Sequence, residues 1–198
     1  MPMMRDGKSM IMRAGALVVV VTVALLPSLV LGSGGARRDV VRQAAEVAAA
    51  EHAAPSSLSK NATILNRDGH VVRIGNNGWT CLPDDLNTAG TDSICMNESW
   101  RNFMDALKNK KKPTYTQFGV AYMLQGDRPV SNTDPYATEP KPGDDWVEKL
   151  GAHIMVLVPD VDTLKSLPTS SKNGGPWVMW AGTPYAHVMI PIESYPSP

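Results

Sequence analysis

Residues 152–158, Ala-His-Ile-Met-Val-Leu-Val, form an apolar run in which His153 is the single polar residue. A continuous apolar run of this length predicts a strand buried inside a sheet. Two further β-type runs follow at 177–181 and 186–192. A short helix is expected near 161–167, between the run at 152–158 and the run at 177–181, and Pro168 bounds it. This half of the chain therefore predicts three strands that are close in sequence.

The preceding residues predict alternating strands and helices. Residues 118–124 are apolar and β-prone, and Asp144 is expected to cap a short helix over 144–150. Asn97 is expected to cap a longer helix over 98–109. In that helix, four apolar side chains recur at the spacing of a single face: Trp100, Phe103, Met104 and Leu107.

A hairpin is predicted where the domain begins. The β-type runs 62–65 and 70–74 flank the turn sequence Asn-Arg-Asp-Gly at 66–69. With hairpins near both ends and helices between single strands, the order of elements favours the α+β class. We expect a mostly antiparallel sheet with three short helices.

The N-terminus has the pattern of a secretory signal. Three basic residues, at positions 5, 8 and 13, precede an apolar run over 14–26 that Pro27 ends, and small residues follow. This arrangement predicts a cleaved signal peptide over 1–36; the alternative is an uncleaved membrane anchor. We therefore expect a periplasmic or secreted protein with no membrane contact after cleavage.

The remaining chain is long enough for one domain. Residues 37–60 are predicted to be an alanine-rich helix followed by a linker, and residues 61–198 a single α+β domain. Alanine favours helix by propensity. Sixteen glycines and sixteen prolines in 198 residues indicate short elements joined by ordered loops.

The two cysteines, Cys81 and Cys95, are predicted to form a disulfide. In an exported chain a single pair indicates a bridge, and the polar, turn-rich segment between them would benefit from one. Metal thiolates or a reactive thiol are the alternatives.

Composition and motifs argue against several function classes. Nineteen basic and nineteen acidic residues balance, so the charge does not favour a nucleic-acid partner. The chain has no Gly-x-Ser-x-Gly elbow, no His-Glu-x-x-His and no phosphate-binding loop. These absences favour a protein without catalytic activity.

Four segments resemble a family of exported bacterial single-domain proteins. They are residues 77–81 (Asn-Gly-Trp-Thr-Cys), 122–126 (Tyr-Met-Leu-Gln-Gly), 131–137 (Ser-Asn-Thr-Asp-Pro-Tyr-Ala) and 179–185 (Met-Trp-Ala-Gly-Thr-Pro-Tyr). The resemblance implies an envelope location and a single domain, and it implies no activity.

A His-x-Met pattern occurs in two of the predicted strands. Alternate residues of a strand point to the same face, so each segment presents an imidazole beside a thioether. If the strands pair, His153, Met155, His187 and Met189 converge, and this donor set suits copper. The alternative is that all four are core residues, with each imidazole bonded to a backbone group.

A second candidate site lies in the loop at 131–136, which offers a hydroxyl, an amide, a carboxylate and a phenol. Its alternative is a turn whose Asn and Asp side chains bond their own backbone. Aromatic residues near the last strands are expected either to line a small-molecule pocket or to pack in the core. The candidate ligand-binding residues are Asn132, Asp134, Tyr136, Trp177, Trp180 and Tyr185.

The sequence thus predicts an exported accessory domain, or one that binds a small ligand, with a small molecule or an envelope protein as partner. No cofactor is expected unless the His-x-Met pair binds copper. A hydrolase-like site around Asp134 and His153 is the other alternative. If the chain is a binding domain, we expect an aromatic pocket without strongly perturbed titratable groups. If it is an enzyme, we expect a histidine hydrogen-bonded to a carboxylate or hydroxyl.

Overall fold

Eight strands form one sheet in the computed structural model, which describes residues 33–192. A separate two-stranded ribbon lies beside it. The strands are β1 (Thr63–Leu65), β2 (Val71–Arg73), β3 (Thr80–Leu82), β4 (Ile94–Met96), β5 (Gly119–Met123), β6 (Val130–Ser131), β7 (Trp146–Val147), β8 (His153–Leu157), β9 (Trp177–Met179) and β10 (His187–Pro191). The helices are α1 (Ser33–Glu51), α2 (Ser56–Ser59) and α3 (Glu98–Lys108), with 3-10 turns at Val161–Ser166 and Ser171–Asn173.

The strand order in the sheet is β2-β1-β3-β4-β5-β8-β10-β9. All neighbouring strands are antiparallel except β1 and β3. The α+β class with a mostly antiparallel sheet is therefore confirmed, and so is the hairpin at the first two strands.

The two faces of the sheet are covered by different helices. On one face, here called the α3 face, β4, β5, β8, β10 and β9 contribute alternate side chains to the main core: Ile94, Met96, Ala121, Met123, Met155, Leu157, Trp177, Met179 and Met189. On the opposite face, here called the α1 face, the last turn of α1 packs near the first strands, where Ala50 and Ile64 are fully buried. The alternation follows from the two-residue period of a strand.

The run at 152–158 forms the strand β8, as predicted. It is paired on both sides, with β5 and with β10. Its burial alternates: His153, Met155 and Leu157 are buried on the α3 face. Gly119 lies opposite Leu157, and a Cβ there would meet that side chain at 2.5 Å, so the close approach requires glycine.

Helix α3 begins at the predicted cap. The Asn97 side chain accepts hydrogen bonds from the backbone N–H groups of Trp100 (3.2 Å) and Val120 (3.1 Å). Its amide donates to the carbonyl of Phe118 at 3.0 Å. One asparagine therefore starts the helix and ties it to β5, which directs Trp100 and Phe103 onto the sheet.

The predicted helix over 144–150 is wrong. Trp146–Val147 is instead β7, paired with β6, and the Asp144 carboxylate accepts from the hydroxyls of Ser131 and Thr133. A helix this short gains little on its own. Aromatic and β-branched residues at 146–147 favour a strand, and partners from the 131–133 loop are available.

The predicted linker before residue 61 contains the short helix α2, in which Ser59 is buried. The alanine-rich helix is confirmed as α1. Most of the predicted signal peptide lies outside the described residues. Within residues 33–192, no helix is long and apolar enough to cross a membrane.

The disulfide between Cys81 and Cys95 is confirmed, and it joins two strands that the sequence did not reveal. The cysteines are directly opposite each other on β3 and β4. Both are fully buried beside Ala50 and Ile64. The bridge therefore joins the strands at which α1 meets the sheet.

Replacing both cysteines by alanine should lower the free energy of unfolding by about 3 kcal/mol, because the bridge closes a loop of 14 residues' separation in the unfolded chain. Urea denaturation of the two proteins at equal pH measures the difference. A loss below about 1 kcal/mol would show that the bridge contributes little.

Candidate functional site

A cleft of about 330 Å³ lies between α3, the 127–138 segment and the α3 face of the sheet. Its floor consists mainly of methionines from four strands: Met123, Met155, Met179 and Met189. Aromatic rings of Trp100, Phe103 and Trp180 form its walls. The cleft is therefore mainly apolar, with thioethers beneath and π-systems at the sides.

The register of the sheet places the methionines side by side. Met189 lies opposite Met155 on one side and opposite Trp177 on the other. Met179 lies opposite His187, and Met123 lies opposite His153. Directly opposed residues share a face, so all of these side chains project towards α3.

The walls are fixed by ring contacts with α3. The ring of Phe103 stacks on Trp180 at 6.4 Å between centroids, with 11° between the planes. The His187 ring meets Trp180 edge-on at 4.9 Å and Trp100 at 5.3 Å. These separations lie in or near the range in which aromatic pairs attract each other.

Trp180 holds its place in an unfavourable backbone conformation. Its φ is +53°, a region that residues with a side chain rarely adopt. Its backbone N–H donates to the Asn132 carbonyl at 2.8 Å, and its indole N–H donates to the Ser131 carbonyl at 2.9 Å. Two hydrogen bonds to one loop thus compensate the strain, which is the arrangement expected of a positioned site residue.

Asn132 holds this loop in place from inside the protein. Its side-chain amide donates to the Asp145 carboxylate and to the Thr169 carbonyl, both at 2.8 Å. Its side-chain oxygen accepts from the indole N–H of Trp177 at 3.0 Å. Asn132 is buried and does not line the cleft. It positions the aromatic side chains.

The other predicted ligand residues divide between the cleft and its supports. Of the six, Trp180 alone lines the cleft. Asp134 accepts from the backbone N–H of Tyr136 at 2.9 Å, which makes the turn that was the alternative interpretation. The Tyr136 hydroxyl donates to that of Tyr185 at 2.7 Å, and this bond raises the pKa of Tyr136 to about 12.

Charged groups are confined to one end of the cleft. Arg67 pairs with Asp92, and Asp127 and Arg128 lie nearby in the lining. Burial raises the pKa of Asp127 to about 7, although its carboxylate accepts from the Arg128 backbone N–H at 2.7 Å. Burial also raises the pKa of Asp92. The pocket of a binding domain was expected to hold no strongly perturbed titratable group, and Asp127 departs from that one expectation.

Both predicted histidines are buried and bond to the backbone. His153 Nδ1 lies 2.7 Å from the Gly151 carbonyl, and His187 Nδ1 lies 2.9 Å from the Tyr185 carbonyl. Burial lowers both pKa values, that of His187 to about 4. Neither imidazole bonds to a carboxylate or hydroxyl among the described residues. The site around Asp134 and His153 thus gains no geometric support.

The four predicted copper ligands share the α3 face but do not all converge. Met155 and Met189 are direct neighbours. His153 lies opposite Pro191, four residues along β10 from His187. Four residues of strand span about 13 Å, so the two side chains start from well-separated backbone positions. Within residues 33–192, no three His, Cys, Asp or Glu side chains gather as a metal site.

Sequence reasoning missed Met123, Met179, Trp100 and Asp127 as site residues. The predicted strands already contained both methionines, and the amphipathic helix already contained Trp100. The sequence patterns did not show which strands are neighbours in the sheet. Nothing in the local sequence marks Asp127, whose backbone forms an isolated bridge with Leu150.

Comparison of the chain with known protein families, curated proteins and solved structures gives no match. The resemblance of its four segments to exported bacterial proteins therefore stays a prediction.

Asn132→Ala should lower the free energy of unfolding by about 3 kcal/mol, because it removes three side-chain hydrogen bonds from a buried network. Urea denaturation measures the change. Asn102→Ala, at an exposed position of α3, is the control and should change stability by less than about 0.5 kcal/mol. Equal effects of the two variants would contradict the role assigned to Asn132.

Asp127 should make the protein less stable as pH rises through neutrality. Its carboxyl has a pKa near 7 when folded, against 3.8 as the ordinary value, so the folded state holds the proton more tightly. The stabilising contribution of the protonated Asp127 carboxyl is complete below pH 4 and is lost as pH rises through 7. Between pH 5 and 8 the wild type should lose about 2 kcal/mol relative to Asp127→Asn.

Chemical denaturation at pH 5, 6, 7 and 8 tests this difference. Asp105→Asn, at an exposed position of α3, is the matched control. If the free energies of unfolding of the wild type and Asp127→Asn change with pH in parallel, the pKa of Asp127 is not raised.

Proposed function

We propose that this chain is an exported, non-catalytic protein that binds a small, largely apolar molecule in the methionine-lined cleft. The observation that carries the proposal is the cleft itself. Its volume of about 330 Å³ lies at the lower end of the ~300–1,000 Å³ typical of small-molecule sites. Its aromatic and thioether lining attracts apolar ligands without selecting a fixed hydrogen-bonding pattern.

The charged end of the cleft adds a preference for one polar group on the ligand. Arg67 and Asp92 already pair with each other, whereas the Asp127 carboxyl changes charge near neutral pH. A ligand with an apolar body and one hydroxyl or amine end fits this distribution. The body would lie over the methionine floor, and the polar end would face Asp127.

Export is supported by two independent features. The signal pattern over 1–36 is typical of a secretory leader. The buried disulfide between Cys81 and Cys95 is typical of proteins that fold in an oxidising compartment. An envelope or secreted location follows as part of the proposal.

The test uses the neutral fluorescent probe 1-N-phenylnaphthylamine. The full chain is expressed in a Gram-negative host and purified from the periplasm, where a mature N-terminus near residue 36 is expected. The purified protein should bind one probe with enhanced fluorescence. Ala137→Trp, which places an indole at the half-buried cleft lining, should weaken binding by about tenfold or more.

Ala45→Trp is the matched control, since Ala45 is exposed on α1, which packs on the opposite face of the sheet. It should bind the probe as the wild type does. Equal binding by all three proteins, or no binding by the wild type, would contradict the cleft as a ligand site. Retention of the chain in the cytoplasm would contradict export.

A further inference from the structure

His153 has an unused nitrogen in the interior of the protein. The side chain is completely buried, and its Nε2 has no hydrogen-bond partner. The other ring nitrogen, Nδ1, faces the Gly151 carbonyl at 2.7 Å. Because a carbonyl oxygen only accepts, Nδ1 carries the proton, and the neutral ring has its lone pair on Nε2.

Two thioethers adjoin that imidazole on the same face of the sheet. Met123 lies directly opposite His153 on β5, and Met155 lies two residues along β8. Directly opposed side chains have Cβ atoms about 5 Å apart, and alternate residues of a strand project to the same side. Both thioethers also line the cleft.

The geometry points to a binding site for a soft monovalent cation, Cu(I) or Ag(I), formed by His153 Nε2 and the sulfur atoms of Met123 and Met155. Thioethers select such ions over harder divalent metals. The bond from Nδ1–H to a backbone carbonyl is the arrangement by which proteins orient a metal-binding histidine. Met189, opposite Met155, is a neighbouring sulfur rather than one of the three donors.

The inference corrects the donor set that the sequence suggested and goes beyond the proposed function. His187 lies four residues along β10 from the position opposite His153, whereas Met123 lies directly opposite His153 and takes its place in the donor set. An ion here would occupy the floor of the cleft. Naphthylamine binding and silver binding are separate measurements, so either proposal can fail without the other.

Silver ion is the probe, because it binds thioethers like Cu(I) without requiring a reductant. Isothermal titration of the full purified protein should give one Ag(I) per chain. In protein labelled with ¹³C at the methionine methyls, silver should shift the Met123 and Met155 resonances most. Met123→Leu and Met155→Leu, which conserve volume, should each weaken binding by about tenfold or more.

Met179→Leu is the matched control, since Met179 lies on the same floor but next to His187. It should bind silver as the wild type does. His153→Leu should abolish stoichiometric binding; the two methionine variants keep the test decisive if this one does not fold. No silver binding, or a loss in Met179→Leu and not in Met123→Leu, would overturn the assignment.

Discussion

The pairing of β8 between β5 and β10 is the constraint on which the rest of the structure depends. Met155 lies opposite Ala121 on one side and Met189 on the other. A shift of one residue in either ladder would turn every side chain of that strand to the other face. The thioethers of the cleft floor, the buried imidazoles and the seat of α3 would all be lost together.

The cleft above this floor is maintained by the side-chain amides of two asparagines, of which Asn132 is buried and Asn97 is half-buried. Asn97 ties α3 to β5, and Asn132 ties the 131–134 loop to the segments that bear Trp177 and Asp145. Each uses both the donor and the acceptor capacity of its side-chain amide. Because buried amides are costly unless satisfied, these networks specify one arrangement of the walls. The strained Trp180 depends on the same loop.

The cleft therefore combines rigid walls with an adaptable floor. Methionine side chains have three rotatable bonds and polarisable sulfur atoms, so they adjust to ligands of different shape. The aromatic side chains around them are restrained by ring contacts and hydrogen bonds. Rigid walls and an adaptable floor favour recognition of a ligand by its shape and by soft donor atoms. The ionisable groups lie at one end of the cleft.

The sequence by itself determined the local elements: the cap at Asn97, the hairpin at 62–74, the strand at 152–158 and the cysteine pair. These features depend on near neighbours, since capping, turn chemistry and apolar periodicity act over a few residues. The tertiary structure alone decided that Trp146–Val147 pairs as a strand, that Met123 and not His187 lies directly opposite His153, and that the Asp127 carboxyl is desolvated. The physical reason is that strand neighbours and burial are set by contacts between segments distant in the chain, which no local pattern records.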